Sequence, residues 1–367
     1  MRTAIRMLLL GVVGAFALSL AGTALAAYTS PTLRITDDRT SVTIRYTVAA
    51  ADDPTAKLTF FAPTGYTATL NQPAGTTLGT VTAQGTAADL GGALLPLTGT
   101  VQARAATGTF TSAPGGTPTP LTAGATQCTG TPTHTAYWVL ILQAAGQTLE
   151  LPVYVDAPAA GVANASTFAA ASIQACLPPP DVPSGTPGRA SFGFKLTQVD
   201  FKVNNVFTSA GQGQPRWRVL ATPYTPNAGR PNAAGSVEAQ SVVAFPRVLS
   251  LRKPRVKASK GTAVVSLTGA AQLPAGVAAT LRLYRGKSAA GLSPSVTLSR
   301  TGAGYRGTLR VKQTAKAQVV FLQARATLAA GTTACTPTFG LPCVSATRAA
   351  VSVRSNTVRI VIPARKR

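Results

Sequence analysis

The residues best suited to chemistry are arginines that alternate with apolar residues in the second half of the chain. Arg282, Arg310 and Arg359 each stand between two large apolar residues. Successive side chains of a strand point to opposite faces, so these arginines should face solvent while their neighbours pack inward. A guanidinium group can bind a phosphate or a carboxylate through two hydrogen bonds. The pattern therefore predicts a ridge of guanidinium groups on one sheet that binds anionic polymers.

A cluster near residue 253 and the C-terminal tail extend this ridge. The residues predicted to bind an anionic polymer are Arg252, Lys253, Arg255, Arg282, Arg306, Arg310, Arg359, Arg365, Lys366 and Arg367. The 129 residues from Ala239 to Arg367 contain 21 Lys and Arg and no Asp or Glu. Such charge attracts acidic cell-wall polymers and, in a peripheral membrane contact, anionic lipid head groups. Nucleic acid is the least favoured polyanion, because few aromatic residues accompany the arginines for base stacking.

One alternative to this use of the charge stays open, since the basic face can serve only to keep the protein solvated. The near-neutral part of the chain before it is predicted to face a partner or another envelope protein, while the basic part holds the cell wall by charge.

Acid–base chemistry has few candidates in this chain. The single histidine, His134, lies in a polar loop. The sequence has no Gly-x-Ser-x-Gly motif that would supply a serine nucleophile for which His134 could act as base. His134 is therefore predicted to be an ordinary loop histidine. The doublets Asp37-Asp38 and Asp52-Asp53 flank one strand, where adjacent side chains point apart and favour turns or caps. We therefore expect no cofactor, no metal site and no enzyme. The alternative is a secreted hydrolase whose catalytic carboxylates lie in the N-terminal region.

The four cysteines of the chain predict disulfides. An even number of cysteines in an exported protein is typical of disulfide bonds. Three pairings are possible, and proximity favours Cys128–Cys176 and Cys335–Cys343, the second closing a short loop between two strands. A zinc site is disfavoured, because the sequence has no C-x-x-C spacing.

The N-terminus has the three parts of a secretory signal peptide. Arg2 and Arg6 precede an uncharged apolar run over residues 7–21, and Ala24-Leu25-Ala26 follows. This order predicts cleavage after residue 26 and a secreted or envelope-associated protein. The alternative is an uncleaved anchor, for which the apolar run is short and interrupted by glycines.

Alternation with a period of two residues predicts the strands that must position these groups. Residues 42–48 alternate, and residues 137–142 form an apolar run typical of a strand covered on both faces. Residues 149–155 alternate around Pro152, which predicts an edge strand or a bulge. A short helix is predicted at 164–172. Further strands are predicted from residue 58 and at 101–105, 192–203 and 217–224.

After residue 245 the predicted strands become short and regularly spaced. They cover 255–258, 263–268, 279–284, 295–299, 306–311, 318–327 and 348–362, after a linker and first strand in 242–254. This rhythm is typical of an immunoglobulin-like sandwich. With Leu281-Arg282-Leu283-Tyr284 and the later Gly304-Tyr305-Arg306-Gly307, the segment resembles the immunoglobulin-like or fibronectin-type modules of bacterial surface and secreted proteins. The resemblance implies a fold, not a function.

Together these patterns predict an all-β protein with two or three antiparallel, immunoglobulin-like β-sandwich domains. The signal peptide is residues 1–26, a near-neutral β-rich region of one or two domains is 27–244, and a basic sandwich is 245–367. The predicted function is that of a non-catalytic binding or structural protein of the bacterial cell envelope.

Overall fold

The computed structural model describes residues 28–29, 31–38, 40–209, 214–243, 248–259, 261–273, 277–302 and 304–365. The predicted signal peptide, together with Lys366 and Arg367 of the predicted anion site, lies outside the described residues. The chain forms several antiparallel sheets with little helix, which confirms the all-β class.

The largest sheet, called here the first sheet, has fourteen strands. They are β1 (Thr32–Asp37), β2 (Ser41–Thr47), β3 (Thr55–Pro63), β5 (Thr77–Ala87), β6 (Ala93–Arg104), β9 (Ala136–Ala144), β10 (Gln147–Asp156), β11 (Ala169–Cys176), β12 (Phe194–Asn204), β14 (Arg216–Thr225), β15 (Arg230–Pro231), β16 (Val237–Val242), β25 (Gly331–Thr333) and β26 (Ala346–Arg348). Their order is β1-β2-β12-β5-β6-β9-β10-β11-β3-β14-β16-β26-β25, with β15 beside β14. Two short pairs complete this part: β4 (Tyr66–Ala68) with β13 (Phe207–Ser209), and β7 (Thr109–Phe110) with β8 (Thr119–Pro120).

The first sheet wraps around until its two ends meet. The backbone N–H of Ile35 on β1 donates to Ser241 Oγ on β16 over 2.9 Å, and the Thr347 hydroxyl on β26 donates to the Leu33 carbonyl on β1. One apolar face is thereby enclosed, because inward residues of almost every strand belong to one buried cluster. Trp138 and Trp217 are both fully buried in it.

Strand β9 is covered on both faces, as its continuous apolar run predicts. Trp138 and Leu140 pack into the enclosed core, while Tyr137 and Val139 pack outside against Leu121. Leu121 begins helix α1 (Leu121–Thr129), which sequence periodicity missed because its residues have only a weak apolar face. Gly130, with a left-handed φ of 81°, ends this helix.

Nine strands form two further sheets, called here the C-terminal sheets. The five-stranded one contains β17 (Val248–Leu251), β18 (Arg255–Ser259), β19 (Thr262–Gln272), β22 (Ser299–Thr301) and β23 (Gly304–Lys312). The four-stranded one contains β20 (Ala279–Gly286), β21 (Ser293–Thr297), β24 (Gln318–Leu328) and β27 (Val351–Ile362). Both C-terminal sheets contribute to one apolar core. It includes Leu267 and Leu309 of the five-stranded sheet and Leu283 and Leu322 of the four-stranded sheet.

Residues 331–348 leave the C-terminal sheets and join the first sheet. Strands β25 and β26 pair with each other, and β26 lies parallel to β16 at Ser241 and Thr347. The loop between them is closed by the Cys335–Cys343 disulfide. We call residues 331–348 the disulfide hairpin. The strands that follow residue 245 are therefore divided between the C-terminal sheets and the first sheet, because strand pairing can join residues far apart in the chain.

Both predicted disulfides are present. Cys128 and Cys176 have Cα atoms 5.7 Å apart and join the end of α1 to β11, while Cys335 and Cys343 have Cα atoms 6.0 Å apart. Both separations fall within the range of natural disulfides. All four cysteines are therefore paired.

Two local predictions need correction. The helix predicted at 164–172 is the single turn α2 (Ala165–Phe168), and strand β11 begins directly after it because Ala169 pairs with Pro63 of β3. Strand β10 is flanked on both sides, although Pro152 predicted an edge or bulge. Its pairing with β11 covers only Tyr154 to Asp156, so the missing N–H of Pro152 interrupts no pairing there.

Candidate anion-binding surface

The cations of the C-terminal sheets lie on faces that point away from the shared core. On β23 the buried residues Leu309 and Val311 alternate with exposed Arg310 and Lys312. On β20 the buried Leu281 and Leu283 flank exposed Arg282. Period-two geometry thus sends apolar side chains inward and cations outward on both sheets.

Three arginines form a row across the four-stranded sheet. Arg282 of β20 is the register partner of Arg325 of β24, and Arg325 is the partner of Arg354 of β27. Neighbouring strands lie about 4.8 Å apart. Like charges directly opposite each other on neighbouring strands are destabilising. Among the described residues, no Asp or Glu forms an ion pair with these three arginines. Every ion pair of the described residues involves a cation at or before Arg218 in the chain.

The central arginine of this row is held in place. The Arg325 guanidinium carbon lies 3.9 Å from the centre of the Tyr284 ring, and its Nε donates to Gln323 Oε1 over 2.9 Å. Stacking on a ring leaves the other N–H groups of a guanidinium free to bind an anion. Two rows further along the same face, beyond the Gln323–Thr357 pair, Arg359 is the partner of Phe321. The arrangement offers fixed donors to phosphate or carboxylate groups.

The five-stranded sheet has a second basic face. Lys257, Val264 and Arg310 form one cross-strand row, and Arg306 and Lys312 lie on the same side of β23. All four cations are exposed. Uncharged Thr262, Ser266 and Thr268 of β19 lie between the basic strands, so this face also has no acid in its described rows.

The residues predicted to form one ridge are therefore divided between two faces. Arg255, Arg306 and Arg310 belong to the five-stranded sheet, whereas Arg282 and Arg359 belong to the four-stranded sheet. Alternation sets the face of a residue within its own strand, but it does not say which sheet the strand joins. Arg252 and Lys253 are exposed in the turn between β17 and β18, and Arg365 is exposed after β27.

Sequence reasoning missed four cations on these faces: Lys257, Lys312, Arg325 and Arg354. A usable signal was present for Arg325, which stands between Ala324 and Ala326 within the predicted strand 318–327. Its apolar neighbours are small, so the alternation is less obvious than around Arg282. Nothing local indicates that Arg282, Arg325 and Arg354 become neighbours.

The acids of the first sheet are used within the protein. Asp200 binds Arg45 Nε and Nη2 over 2.6 and 3.0 Å, and Asp89 binds Arg189 through two 2.7 Å hydrogen bonds. The hydrogen bonds from Arg189 hold the pKa of Asp89 below its usual value. The Asp38 carboxylate accepts from Thr40 and Ser41, which is the turn role that its doublet predicts.

His134, predicted to be an ordinary loop histidine, is buried and has hydrogen-bonding partners at both ring nitrogens. It is only 9% exposed, its Nδ1 lies 2.9 Å from Asp156 Oδ2, and its Nε2 lies 2.9 Å from Thr129 Oγ1. The Thr129 hydroxyl also lies 2.9 Å from the Ala125 carbonyl within α1. These contacts connect the end of α1 to β10, and the loop is buried because Tyr137 and Tyr154 pack on the imidazole ring.

Two further classes of site are absent from the described part of the chain. It contains no group of three or more His, Cys, Asp or Glu residues placed to bind a metal ion. None of its helices has the length and apolar character needed to cross a membrane.

Comparison with protein-family models and with curated proteins finds no match. A function must therefore be argued from the charges and contacts described above.

Proposed function

We propose that this protein is a secreted, non-catalytic binding protein of the bacterial cell envelope whose C-terminal sheets form an immunoglobulin-like sandwich that binds anionic polymers. The observation that carries the proposal is the row of Arg282, Arg325 and Arg354, which has no acid partner among the described residues.

Export is supported by two independent features. Residues 1–26 have the order of basic, apolar and small residues that signal peptides share. Two disulfides are present, and disulfides persist in oxidising compartments outside the cytoplasm. Export would bring the protein into contact with molecules of the cell envelope, and we propose its partners from among these.

The arginine row favours an external anion. Placing three guanidinium groups side by side costs free energy, and an anion that bridges them removes the repulsion while gaining charge-assisted hydrogen bonds. The stacked position of Arg325 on Tyr284 reduces the entropy that is lost when such an anion binds.

A polymer fits the surface better than a small anion. Cations cover the outer faces of both C-terminal sheets, at Arg310 and Lys312 on one and at Arg354 and Arg359 on the other. A chain with repeated phosphate or carboxylate groups can contact many of these cations at once, and multivalent contact strengthens binding without any single tight site. Anionic wall polymers have this chemistry.

The test is retention of the mature protein on isolated bacterial cell wall as salt is raised from roughly 50 to 500 mM, across which exposed charges become screened. The test variant combines R282Q, R325Q and R354Q. The matched control combines R34Q, K202Q and R230Q, which remove the same charge from the first sheet.

We expect retention to fall steeply with salt, and the test variant to lower the slope of log affinity against log salt by about one for each lost cation. The control should bind nearly as the natural protein does. Retention that does not respond to salt, or that falls equally in both variants, would overturn the proposal.

A further inference from the structure

An apolar cavity lies inside the first sheet, near the ends of the β5–β6 and β9–β10 hairpins. Its volume is about 130 Å³, and side chains from seven strands line it. Among its described lining residues, Glu150 is the only charged one. An engineered cavity of about 150 Å³ with a similar Leu, Ile and Phe lining stays dry and binds benzene. This cavity is thus of a size and character that favours an apolar ligand.

Several side chains that point into the enclosed face are not fully buried there. Four residues on the inward faces of their strands, where neighbouring residues of the same face are buried, are themselves only half-buried: Ala83, Leu142, Leu149 and Val199. Interior apolar residues normally contact other protein atoms on all sides. Their residual exposure shows that the space beside them is open.

The exposed leucines near the turn between β5 and β6 lie outside the cavity. Leu90 and Leu94 are 46% and 63% exposed, and neither lines it. Leu95 does line the cavity, so strand alternation turns its neighbour Leu94 to the opposite face of the sheet. The apolar contact available to a ligand is therefore that of the cavity lining itself.

Residues 177–193, called here the strap, connect β11 to β12 across this end of the sheet. Leu177, Ala190 and Phe192 of the strap line the cavity. Arg189 joins the strap to Asp89 of the β5–β6 turn through its two 2.7 Å hydrogen bonds. The strap thus forms one wall of the cavity and is held by an exposed ion pair.

The one charge in the lining is already used. Glu150 accepts from Arg104 Nη2 over 3.1 Å and from the Thr111 backbone N–H over 2.8 Å. A second charge placed in this apolar space would lose its hydration without gaining a free counter-ion. The lining selects for an uncharged ligand.

We propose that this cavity binds one uncharged alkyl chain, with the polar end of the ligand at the opening. The proposal does not depend on the anion-binding surface, because the two sites share no residue. Binding should therefore be insensitive to salt and unchanged in the R282Q/R325Q/R354Q variant.

The test is calorimetric titration of the mature protein with straight-chain alcohols of increasing length. Each methylene that enters an apolar site should tighten binding about fourfold. The gain should flatten beyond about six carbons, the size of the benzene ring that a comparable cavity holds. Carboxylates of equal length should bind more weakly at neutral pH. The absence of saturable binding, or a preference for the carboxylate, would overturn the proposal.

Two variants fill the space from opposite sides. A83L and L151F should each weaken alcohol binding at least tenfold, whereas A289L, which enlarges an exposed loop residue, should leave it unchanged. Circular dichroism identifies a filling variant that fails to fold. In that case, the alcohol affinity of the other filling variant tests the proposal. Unchanged binding in a folded filling variant would contradict the proposal.

The alkyl chain can come from a free amphiphile or from a membrane lipid. Vesicles of zwitterionic lipid added to the titration separate the two sources. Competition with the alcohol indicates a lipid tail, and an unaltered alcohol affinity indicates a free amphiphile.

Discussion

The two parts of the molecule treat their charges differently. In the first sheet, Arg45 binds Asp200 and Arg189 binds Asp89, each through two nitrogens. In the four-stranded C-terminal sheet, Arg282 and Arg354 flank Arg325 without an acid among the described residues. Acids of the first sheet thus pair with cations of the same part, whereas the arginines of the C-terminal row have no acid partner among the described residues.

The last acid of the chain lies where the two parts meet. Glu238 is fully buried on β16. Its Oε2 accepts from the Thr338 backbone N–H over 2.8 Å, its Oε1 accepts from Gln240 Nε2 over 2.6 Å, and Arg218 Nε lies 3.4 Å from Oε1. This carboxylate therefore holds the disulfide hairpin on the first sheet, a task that needs a charge inside the protein rather than on its surface.

The largest effect should come from breaking this junction with E238A. The variant leaves Arg218, 14% exposed, without its carboxylate, and an uncompensated buried charge costs about 3–5 kcal/mol. Burial already lowers the pKa of Arg218 against the opposing effect of Glu238. Urea denaturation measures the loss. The control D200A breaks the exposed Arg45 pair and should cost no more than about 1 kcal/mol; equal losses would show that burial does not separate the two kinds of pair.

The two disulfides should differ in their contribution to stability. Cys128 and Cys176 are 48 residues apart, and Cys335 and Cys343 are 8 apart. In the loop-entropy model, replacing the first pair with serine costs about 4 kcal/mol and replacing the second about 2.5 kcal/mol. Urea midpoints of the two double variants under non-reducing conditions provide the comparison. A larger cost for the short loop would mean that the hairpin contacts, rather than chain entropy, dominate.

The smallest effect should appear at the exposed pair of the strap. Hydrogen bonds from Arg189 lower the pKa of Asp89 in the folded protein. A lowered folded-state pKa adds stability above the unfolded-state pKa, and that stability is lost as pH falls through the folded-state value. The urea midpoint of the natural protein should therefore exceed that of D89N at neutral pH, and the difference should shrink in acid. A difference that does not change with pH would exclude the charge of Asp89 as its cause.

Much of the local structure was predictable because it depends on neighbours in the chain. The alternation over 42–48 places Val42, Ile44 and Tyr46 in the core, as β2 shows. The even number of cysteines predicted both disulfides. The apolar run over 137–142 indicated a strand covered on both faces.

The candidate sites were less predictable, for reasons that are visible at particular residues. The outward orientation of Arg282 follows from Leu281 and Leu283, but its neighbours Arg325 and Arg354 come from distant strands. The burial of His134 could not be inferred from its polar sequence context, because the rings that cover it belong to β9 and β10. The cavity depends on side chains from seven strands whose spacing no single segment describes.

The amino-acid sequence alone determined the strand-rich class, the inward and outward faces of individual strands, the cysteine count and the complete absence of acids after Glu238. Tertiary structure alone decided that 331–348 return to the first sheet, that three arginines form one row, and that an apolar space opens beside Leu149. The physical reason is range. Side-chain alternation acts within a strand, whereas the register between strands is set by contacts among residues far apart in the chain.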